Sequence, residues 1–233
     1  FTIGNPIDTG SPLYIRTNGV PFHVSECDLE GLRPIVLADD LDFGDAEPTL
    51  YIDNNTPFDT GGHTITADSM IWWNGVAGPT NLRSSIINLS AYTGPSTTTG
   101  GNLSIFNTGT SVINVVPVTR TGTRNVYVSD GFAYNNITFT NAVTAPFQNS
   151  IEMIVPGNCS FNTIASTNSG QKELNFSANS TFIMNELSVA GNVSNPFIID
   201  VSSDTPNGMY YLKGKTKPIV CDYVEPWHCI ALG

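Results

Sequence analysis

Short runs of β-branched and aromatic residues recur along the whole chain, separated by clusters of Gly, Asn, Pro and Asp. Apolar runs of this length bounded by turn-forming residues are typical of β-strands. The pattern predicts strands at residues 49–52, 63–66, 85–89, 103–106, 111–118, 125–128, 136–140, 150–155, 159–164, 172–176 and 181–184. We therefore expect an all-β protein with many short strands.

Helical periodicity is weak throughout, because Gly or Pro interrupts most windows in which apolar residues recur at a spacing of three or four. Only residues 28–32 and 80–86 are short candidates for helix. Helices therefore contribute little to the predicted fold.

The turn residues favour one all-β architecture over another. Regularly spaced short strands fit either a sandwich of hairpins or a solenoid of stacked coils. Two-residue hairpin turns of the Asn-Gly or Asp-Gly type are scarce between alternating runs, which favours a solenoid after about residue 100. We expect residues 101–233 to form that solenoid, ending within a repeat, and residues 1–100 to form an irregular β-rich cap or small β domain.

Residues 172–212 carry a resemblance to a known architecture. Their order is an apolar-x-Phe strand at 174–177, a Leu-x-Val-x-Gly strand at 187–191, an alternating strand at 196–203 and a Pro-Asn-Gly turn at 206–208. This order resembles the right-handed parallel β-helix repeats of phage tail or fibre proteins and of bacterial surface adhesins. The resemblance implies a right-handed parallel β-helix, or solenoid, in the C-terminal part.

Alternation within residues 196–203 agrees with that resemblance. Phe197, Ile199 and Val201 alternate with Ile198 and Asp200. Because successive side chains of a strand point to opposite faces, the first set is predicted to face the interior and the second set the solvent.

Composition limits the class of partner. The formal net charge is −11 with an isoelectric point near 4.4, which disfavours binding to nucleic acid and to anionic membranes. No apolar run approaches the length of a membrane-spanning helix, so membrane insertion is not expected. Charged residues make up only 12% of the chain, so Asn, Thr, Ser and Gly must supply most of its polar surface.

The resemblance implies a function as well as a fold. We expect a non-enzymatic structural or adhesive module of a phage virion, such as a tail fibre, a spike or an associated protein. The expected partners are neighbouring copies of the chain in a homotrimer, other virion proteins, and a cell-surface glycan. A secreted bacterial surface adhesin is the first alternative, so the expected location is the virion, the extracellular space or the cell surface.

A polysaccharide-cleaving β-helix enzyme is the second alternative, because such enzymes use clustered carboxylates as acid, base or calcium ligands. The catalytic patterns of polygalacturonase-like enzymes and the Gly-x-Ser-x-Gly nucleophile turn are missing from the sequence. No catalytic residue is therefore assigned, and this alternative requires carboxylates that meet only in the folded chain.

The densest acidic stretch is residues 39–47. Asp40, Asp42 and Asp45 are spaced so that their carboxylates could bind Ca²⁺, the one cofactor considered, although the stretch lacks the EF-hand order. A solvated acidic loop is the other interpretation of these residues.

Exposed aromatic side chains bind sugars by stacking on their apolar faces. Trp72 and Trp73 are adjacent in the sequence and are the candidates for glycan binding. Packing in the core or at its rim is the alternative interpretation for both.

Overall fold

The structure, a computed structural model, describes most of the chain. The described residues are 1–5, 7, 9–44, 48–53, 56–72, 78–89, 91–93, 106–115, 124–127, 133–139, 151–155, 159–166, 172–191, 197–201, 209–215, 220–222, 224–226 and 229–232. They form β-strands and turns with no helix, and the chain divides into two compact units, Phe1–Ile113 and Asn114–Gly233. In each unit parallel strands stack as a β-solenoid, which confirms the predicted all-β class.

Unit 1, Phe1–Ile113, has three parallel sheets, and the chain visits them in turn. Sheet A contains β1 (Thr2–Asn5), β3 (Glu26–Gly31), β6 (Thr49–Ile52), β9 (Ser69–Trp72) and β12 (Ala91–Thr93). Sheet B contains β2 (Leu13–Ile15), β4 (Ile35–Leu37), β7 (Phe58–Asp59), β10 (Thr80–Asn81) and β13 (Phe106–Asn107). Sheet C contains β5 (Leu41–Asp42), β8 (Ile65–Thr66) and β11 (Ile86–Leu89), followed by β14 (Val112–Val115) at the division between the units.

Unit 2, Asn114–Gly233, alternates between two parallel sheets. Sheet D contains β15 (Arg124–Tyr127), β17 (Ile151–Val155), β19 (Lys172–Phe176), β21 (Phe197–Val201) and β24 (Val224–Pro226). Sheet E contains β16 (Ala133–Phe139), β18 (Ser160–Ser166), β20 (Thr181–Ala190), β22 (Tyr210–Gly214) and β25 (Cys229–Leu232), with β23 (Val220–Asp222) beside the second half of β20.

The core of unit 1 is made of columns of apolar side chains in register between coils. Cys27 stands beside Leu50, which stands beside Met70, and all three side chains are fully buried. Burial of a large apolar side chain stabilises the fold by roughly 1.5–3 kcal/mol. Because strands alternate their faces, the same register also places the outward side chains of neighbouring coils side by side.

One corner of unit 1 repeats in three successive coils. At the end of β7, β10 and β13, an Asp or Asn side chain accepts a hydrogen bond from the backbone N–H two residues later, and that later residue has a left-handed backbone with φ of 48–65°. The segments are Asp59–Thr60–Gly61, Asn81–Leu82–Arg83 and Asn107–Thr108–Gly109. Side-chain caps of this kind favour turns over strand continuation, so they end the strands of sheet B.

Unit 2 bends its long strands without ending them. In β20 the buried residues are Phe182 and Met184, then Leu187 and Val189. Met184 and Leu187 are three positions apart, so the alternation changes phase at Asn185 and Glu186. The same change occurs in β18, between Phe161 and Ile164. An extra residue of this kind bends a strand, so one long strand of sheet E covers two faces of its coil.

Two predictions from the sequence need correction. Residues 28–32 and 80–86, the helix candidates, lie in or beside strands β3, β10 and β11. The predicted irregular N-terminal cap holds parallel strands from Thr2 onward, so the solenoid is not confined to the C-terminal part. The strands of unit 1 are only two to six residues long, because the chain turns between three sheets, and strands this short give weak periodicity.

The alternation predicted for residues 197–201 is confirmed through Asp200, whereas Val201, predicted to face the interior, is half-buried. Phe197 and Ile199 are buried, at 1% and 2% exposure, whereas Ile198 and Asp200 are half-buried. The division of the chain into domains at residue 100 stays a prediction.

Candidate functional site

An acidic groove of about 340 Å³ lies on the outer face of sheet A in unit 1. Its lining side chains are Glu26, Asp28, Glu30, Tyr51 and Asp53. Of these five described residues, four carry carboxylates and the fifth is aromatic. We call this surface the acidic groove.

Strand alternation positions the carboxylates of β3. Cys27 and Leu29 are fully buried, so Glu26, Asp28 and Glu30 must face outward between and beside them. Alternate residues of a parallel strand are about 6.6 Å apart, which sets the spacing of the three carboxylates along the groove.

The second wall of the acidic groove comes from the next coil. Asp28 and Tyr51 are paired Cα partners in the β3–β6 register. The N–H of Asp53 donates to the carbonyl of Leu29 at 2.9 Å, which brings Asp53 alongside Glu30. Neighbouring strands lie about 4.8 Å apart, so the carboxylates of the two coils face the same small volume.

A glycine in the first coil pairs with one residue of the acidic groove. Gly4 is the Cα partner of Glu30 in the first coil, and its φ is +114°. A Cβ at this position would lie 1.7 Å from the carbonyl oxygen of Glu30, so no other residue fits without displacement of the backbone. Gly4 therefore allows the first coil to pack closely against the backbone of β3 at Glu30.

The groove offers two kinds of contact to a ligand. Carboxylates accept hydrogen bonds from sugar hydroxyls and attract cations, and a tyrosine ring packs against an apolar face. Among the described residues, no group of three or more His, Cys, Asp and Glu side chains is arranged to hold a metal ion. The described side chains of the groove therefore offer hydrogen-bond acceptors on two neighbouring coils and one aromatic ring between them.

The acidic stretch of residues 39–47 has a different role where the structure describes it. Asp40 Oδ1 accepts a hydrogen bond from the N–H of Thr64 at 2.8 Å, and His63 Nδ1 lies 3.7 Å away. Asp42 Oδ1 accepts from the N–H of Gly44 at 2.9 Å. Asp45 lies outside the described residues, so the calcium site of Asp40, Asp42 and Asp45 stays a prediction.

Asp39, in the same stretch, links two coils. Its carboxylate accepts hydrogen bonds from the backbone N–H groups of Thr17 and Asn18, each at 2.8 Å, and from the Thr17 hydroxyl. The Thr17 N–H makes the largest contribution to lowering the pKa of Asp39, since it stabilises the charged form. The described carboxylates of this stretch therefore serve as acceptors in turns.

Trp72 is a core residue of β9. Its side chain is 1% exposed, and it is the Cα partner of Ile52 in the preceding coil, so it presents no ring face to a sugar. Trp73 lies outside the described residues, and its role in glycan binding stays a prediction.

The residues of the acidic groove were not among those predicted from the sequence. The sequence feature that could have indicated the groove is the alternation of acidic and apolar residues in Glu26–Gly31. Residues 28–32, which overlap this stretch, were interpreted instead as a helix candidate. The pairing of Asp28 with Tyr51 joins residues of different coils, and no local pattern reveals such a register.

Comparison with known proteins adds no family: no protein-family model, no curated protein and no solved structure matches the chain. Within the part of the chain that the structure describes, no helix is long and apolar enough to span a membrane.

Proposed function

We propose that this chain is a non-enzymatic structural and adhesive module of an extracellular or virion surface, and that it binds a glycan in the acidic groove. The virion assignment rests on the resemblance of residues 172–212 to fibre and tail repeats. The observation that carries the adhesive role is the acidic groove itself, which places an aromatic ring among four carboxylates on a regular sheet.

The sheet beneath the groove supports a binding role. Glu26, Asp28, Glu30 and Tyr51 lie on strands whose inward neighbours, such as Leu29 and Leu50, are fully buried. Side chains fixed on a packed strand lose less conformational entropy on binding than side chains on a free loop. A ligand lying across β3 and β6 would therefore meet a preorganised surface.

Charge restricts the class of glycan. Four carboxylates in one groove repel uronic acids and sulfated sugars, but they accept hydrogen bonds from neutral hydroxyls. Tyr51 adds a flat apolar surface for a pyranose ring. We therefore propose a neutral polysaccharide as the ligand.

Affinity electrophoresis through gels that contain neutral polysaccharides tests the adhesive role, with reducing ends assayed in the same samples. The wild-type chain should be retarded and should release no new reducing ends. Tyr51→Ala and Asp28→Asn should abolish the retardation. Glu186→Gln, which removes one negative charge in unit 2, is the matched control and should migrate as wild type does. Absence of retardation in every neutral gel would reject the adhesive role.

A second candidate function is cleavage of the same class of polysaccharide. Glycosidases use two carboxylates, about 5–5.5 Å apart when they retain and about 6.5–9.5 Å apart when they invert the anomeric configuration. Glu30 lies on β3 and Asp53 directly follows β6, so these two residues are separated by the distance between neighbouring strands, about 4.8 Å. Asp28 and Glu30 occupy alternate positions of one strand, about 6.6 Å apart. These two spacings fall near the two ranges for glycosidases.

The same reducing-end assay separates the two functions. Release of new reducing ends by the wild type, lost in both Glu30→Gln and Asp53→Asn but kept in Glu186→Gln, would establish cleavage and replace the non-enzymatic proposal. Retardation without release would exclude cleavage of the polysaccharides tested.

A further inference from the structure

The outward side chains of sheet A form rows that run from coil to coil. In one row Asp28 is the Cα partner of Tyr51, and Tyr51 is the Cα partner of Ile71. Met70 and Trp72, the neighbours of Ile71 in β9, are buried, so Ile71 faces outward. We call Asp28, Tyr51 and Ile71 the central row. It extends the outer face of the acidic groove by one coil, from β6 to β9.

The central row also extends the apolar surface of the groove. Tyr51 supplies the aromatic ring among the described lining residues, and Ile71 is half-buried, so part of its side chain meets solvent. Because neighbouring strands lie about 4.8 Å apart, the two side chains stand one strand spacing from each other. The apolar faces of sugar rings gain from contact with aromatic and aliphatic groups alike. Two linked sugar units can therefore pack against Tyr51 and Ile71.

The perpendicular direction, along a strand, offers less apolar contact. The three outward side chains of β3 that line the groove are all carboxylates. On β6, the outward neighbour of Tyr51 is Thr49, whose Oγ1 is hydrogen-bonded to Ser69 Oγ at 2.8 Å. A sugar chain that lay along either strand would meet at most one ring-sized apolar surface among these residues. A chain that crossed the strands would meet Tyr51 and then Ile71.

Carboxylates flank the central row on one side. Glu30 and Asp53 lie two positions beyond Asp28 and Tyr51 on their respective coils, so they form a second row beside the first. A sugar ring that packs flat on the central row directs its hydroxyls sideways. The Glu30 and Asp53 carboxylates accept hydrogen bonds from hydroxyls in that direction.

We propose that the acidic groove binds a linear chain of several neutral sugar units laid across β3, β6 and β9, with one unit against Tyr51 and the next against Ile71. This inference rests on the proposed function, and it adds the direction of the chain and a contact at Ile71. A linear chain fits because the central row runs without offset from strand to strand. Affinity therefore depends on how many sugar units are linked.

Titration calorimetry with a series of oligosaccharides tests this dependence. The probes are fragments of increasing length, made by partial acid hydrolysis of the neutral polysaccharide that retards the wild-type chain most in the gel assay. The affinity of the wild type should rise by at least about fivefold from a single sugar unit to a three-unit fragment, the gain expected from one further apolar contact. It should then change little, because the longer fragments extend past the central row.

Substitution of Ile71 tests where the second unit binds. Ile71→Ser should weaken binding of three-unit and longer fragments by at least about fivefold and leave the affinity for a single unit within about twofold of wild type. Ile71→Tyr, which restores a surface for packing, should bind the longer fragments at least as tightly as the wild type does. Ile86→Ser is the matched control, since Ile86 is 45% exposed on β11 of sheet C, and it should bind every fragment as wild type does.

The outcomes separate this inference from the proposed function. Absence of retardation in every neutral gel rejects the adhesive role and this inference together. Retardation with equal affinity for all fragment lengths, or an equal loss at every length in Ile71→Ser, overturns the crossing chain alone and leaves the adhesive role standing. Equal weakening by Ile71→Ser and Ile86→Ser also overturns it. Circular dichroism of each variant confirms that the losses are measured on folded protein.

Discussion

Unit 1 and unit 2 both turn a chain of short strands around an apolar core, but they do so with different residues. Unit 1 ends a strand at the corner that follows sheet B and places a left-handed residue there, Gly61, Arg83 or Gly109 in successive coils. Unit 2 continues its long strands through the bend, where Asn162 and Asn185 occupy the extra position. The corner of unit 1 therefore combines a left-handed residue with a side-chain cap inside one coil, whereas the bend of unit 2 has side-chain hydrogen bonds that run from coil to coil.

The amides of unit 2 form a ladder between coils. Asn185 Nδ2 donates to Asn162 Oδ1 at 2.7 Å, and Asn162 Nδ2 donates to Asn136 Oδ1 at 2.8 Å. Unit 1 has a buried hydroxyl pair next to its corner instead, Ser85 and Thr60. Polar side chains therefore join neighbouring coils in both units, but they are buried in unit 1 and exposed in unit 2. We expect substitutions to lower stability more at the buried pair than in the exposed ladder.

The largest expected effect is at a corner glycine of unit 1. Gly61 has φ +65°, and a Cβ there would lie 2.3 Å from the carbonyl oxygen of Leu37. Gly61→Ala should lower the free energy of unfolding by about 3 kcal/mol, from backbone strain together with displacement of the neighbouring coil. Urea titration followed by circular dichroism measures the loss.

Gly19→Ala separates the two causes of that loss. Gly19 has φ +73°, but nothing lies within 4 Å of an added Cβ, so only the strain of about 1 kcal/mol should appear. Equal losses in the two variants would show that contact between coils does not contribute at Gly61.

The second effect concerns the buried hydroxyls of unit 1. Thr60 Oγ1 donates to the carbonyl of Leu82 at 2.9 Å and accepts from Ser85 Oγ at 2.7 Å, and both side chains are fully buried. Thr60→Val keeps the shape but leaves the Ser85 hydroxyl without its acceptor, so it should cost about 2 kcal/mol.

The double variant Thr60→Val with Ser85→Ala checks that reason. It should be more stable than the sum of the two single losses predicts, because it removes both partners of the hydrogen bond. In the next coil, Leu82 occupies the position equivalent to Thr60. If the stability loss of the double variant equals the sum of the two single losses, position 60 simply tolerates an apolar residue.

The third effect is in unit 2. Asn162 is the middle member of the amide ladder and is exposed, so water can replace its hydrogen bonds. Asn162→Ala should lower the midpoint of thermal unfolding by an amount that corresponds to about 1 kcal/mol. Ser188→Ala, at an exposed position of β20, is the control and should change the midpoint less. A loss at Asn162 larger than that at Gly61 would reverse the comparison between the units.

The sequence alone does not predict most of these differences between unit 1 and unit 2. The strands predicted at residues 49–52, 172–176 and 181–184 correspond to β6, β19 and the first part of β20, since each has strong local alternation. The corner repeat could have been found in two of its three coils, because Asp59 and Asn107 are each followed two residues later by a glycine, whereas Asn81 is followed there by Arg83. The acidic groove could not, because the register between Asp28 and Tyr51 is fixed by core packing and not by any local pattern.

The smallest expected effect is at the ion pair of the unit 1 corner. Arg83 Nε and Nη2 donate to the two carboxylate oxygens of Asp59, each at 2.6 Å, and Arg83 is half exposed. This hydrogen bonding to Arg83 is the main reason that the pKa of Asp59 is lowered. Because the pair is exposed and screened by salt, Asp59→Asn should cost no more than about 1 kcal/mol at neutral pH.

The pH dependence of that loss identifies its cause. A carboxylate whose pKa is lower in the folded than in the unfolded chain stabilises the fold above the ordinary carboxyl pKa, and this contribution disappears as pH falls through the lower, folded value. The difference in unfolding free energy between wild type and Asp59→Asn should therefore shrink as the solution is acidified below about pH 4. It should also shrink with added salt at neutral pH. A difference that stays constant under both changes would show that it does not arise from the charge of Asp59. The hydrogen bond from the N–H of Gly61 could not account for it either, because Asn can accept the same bond.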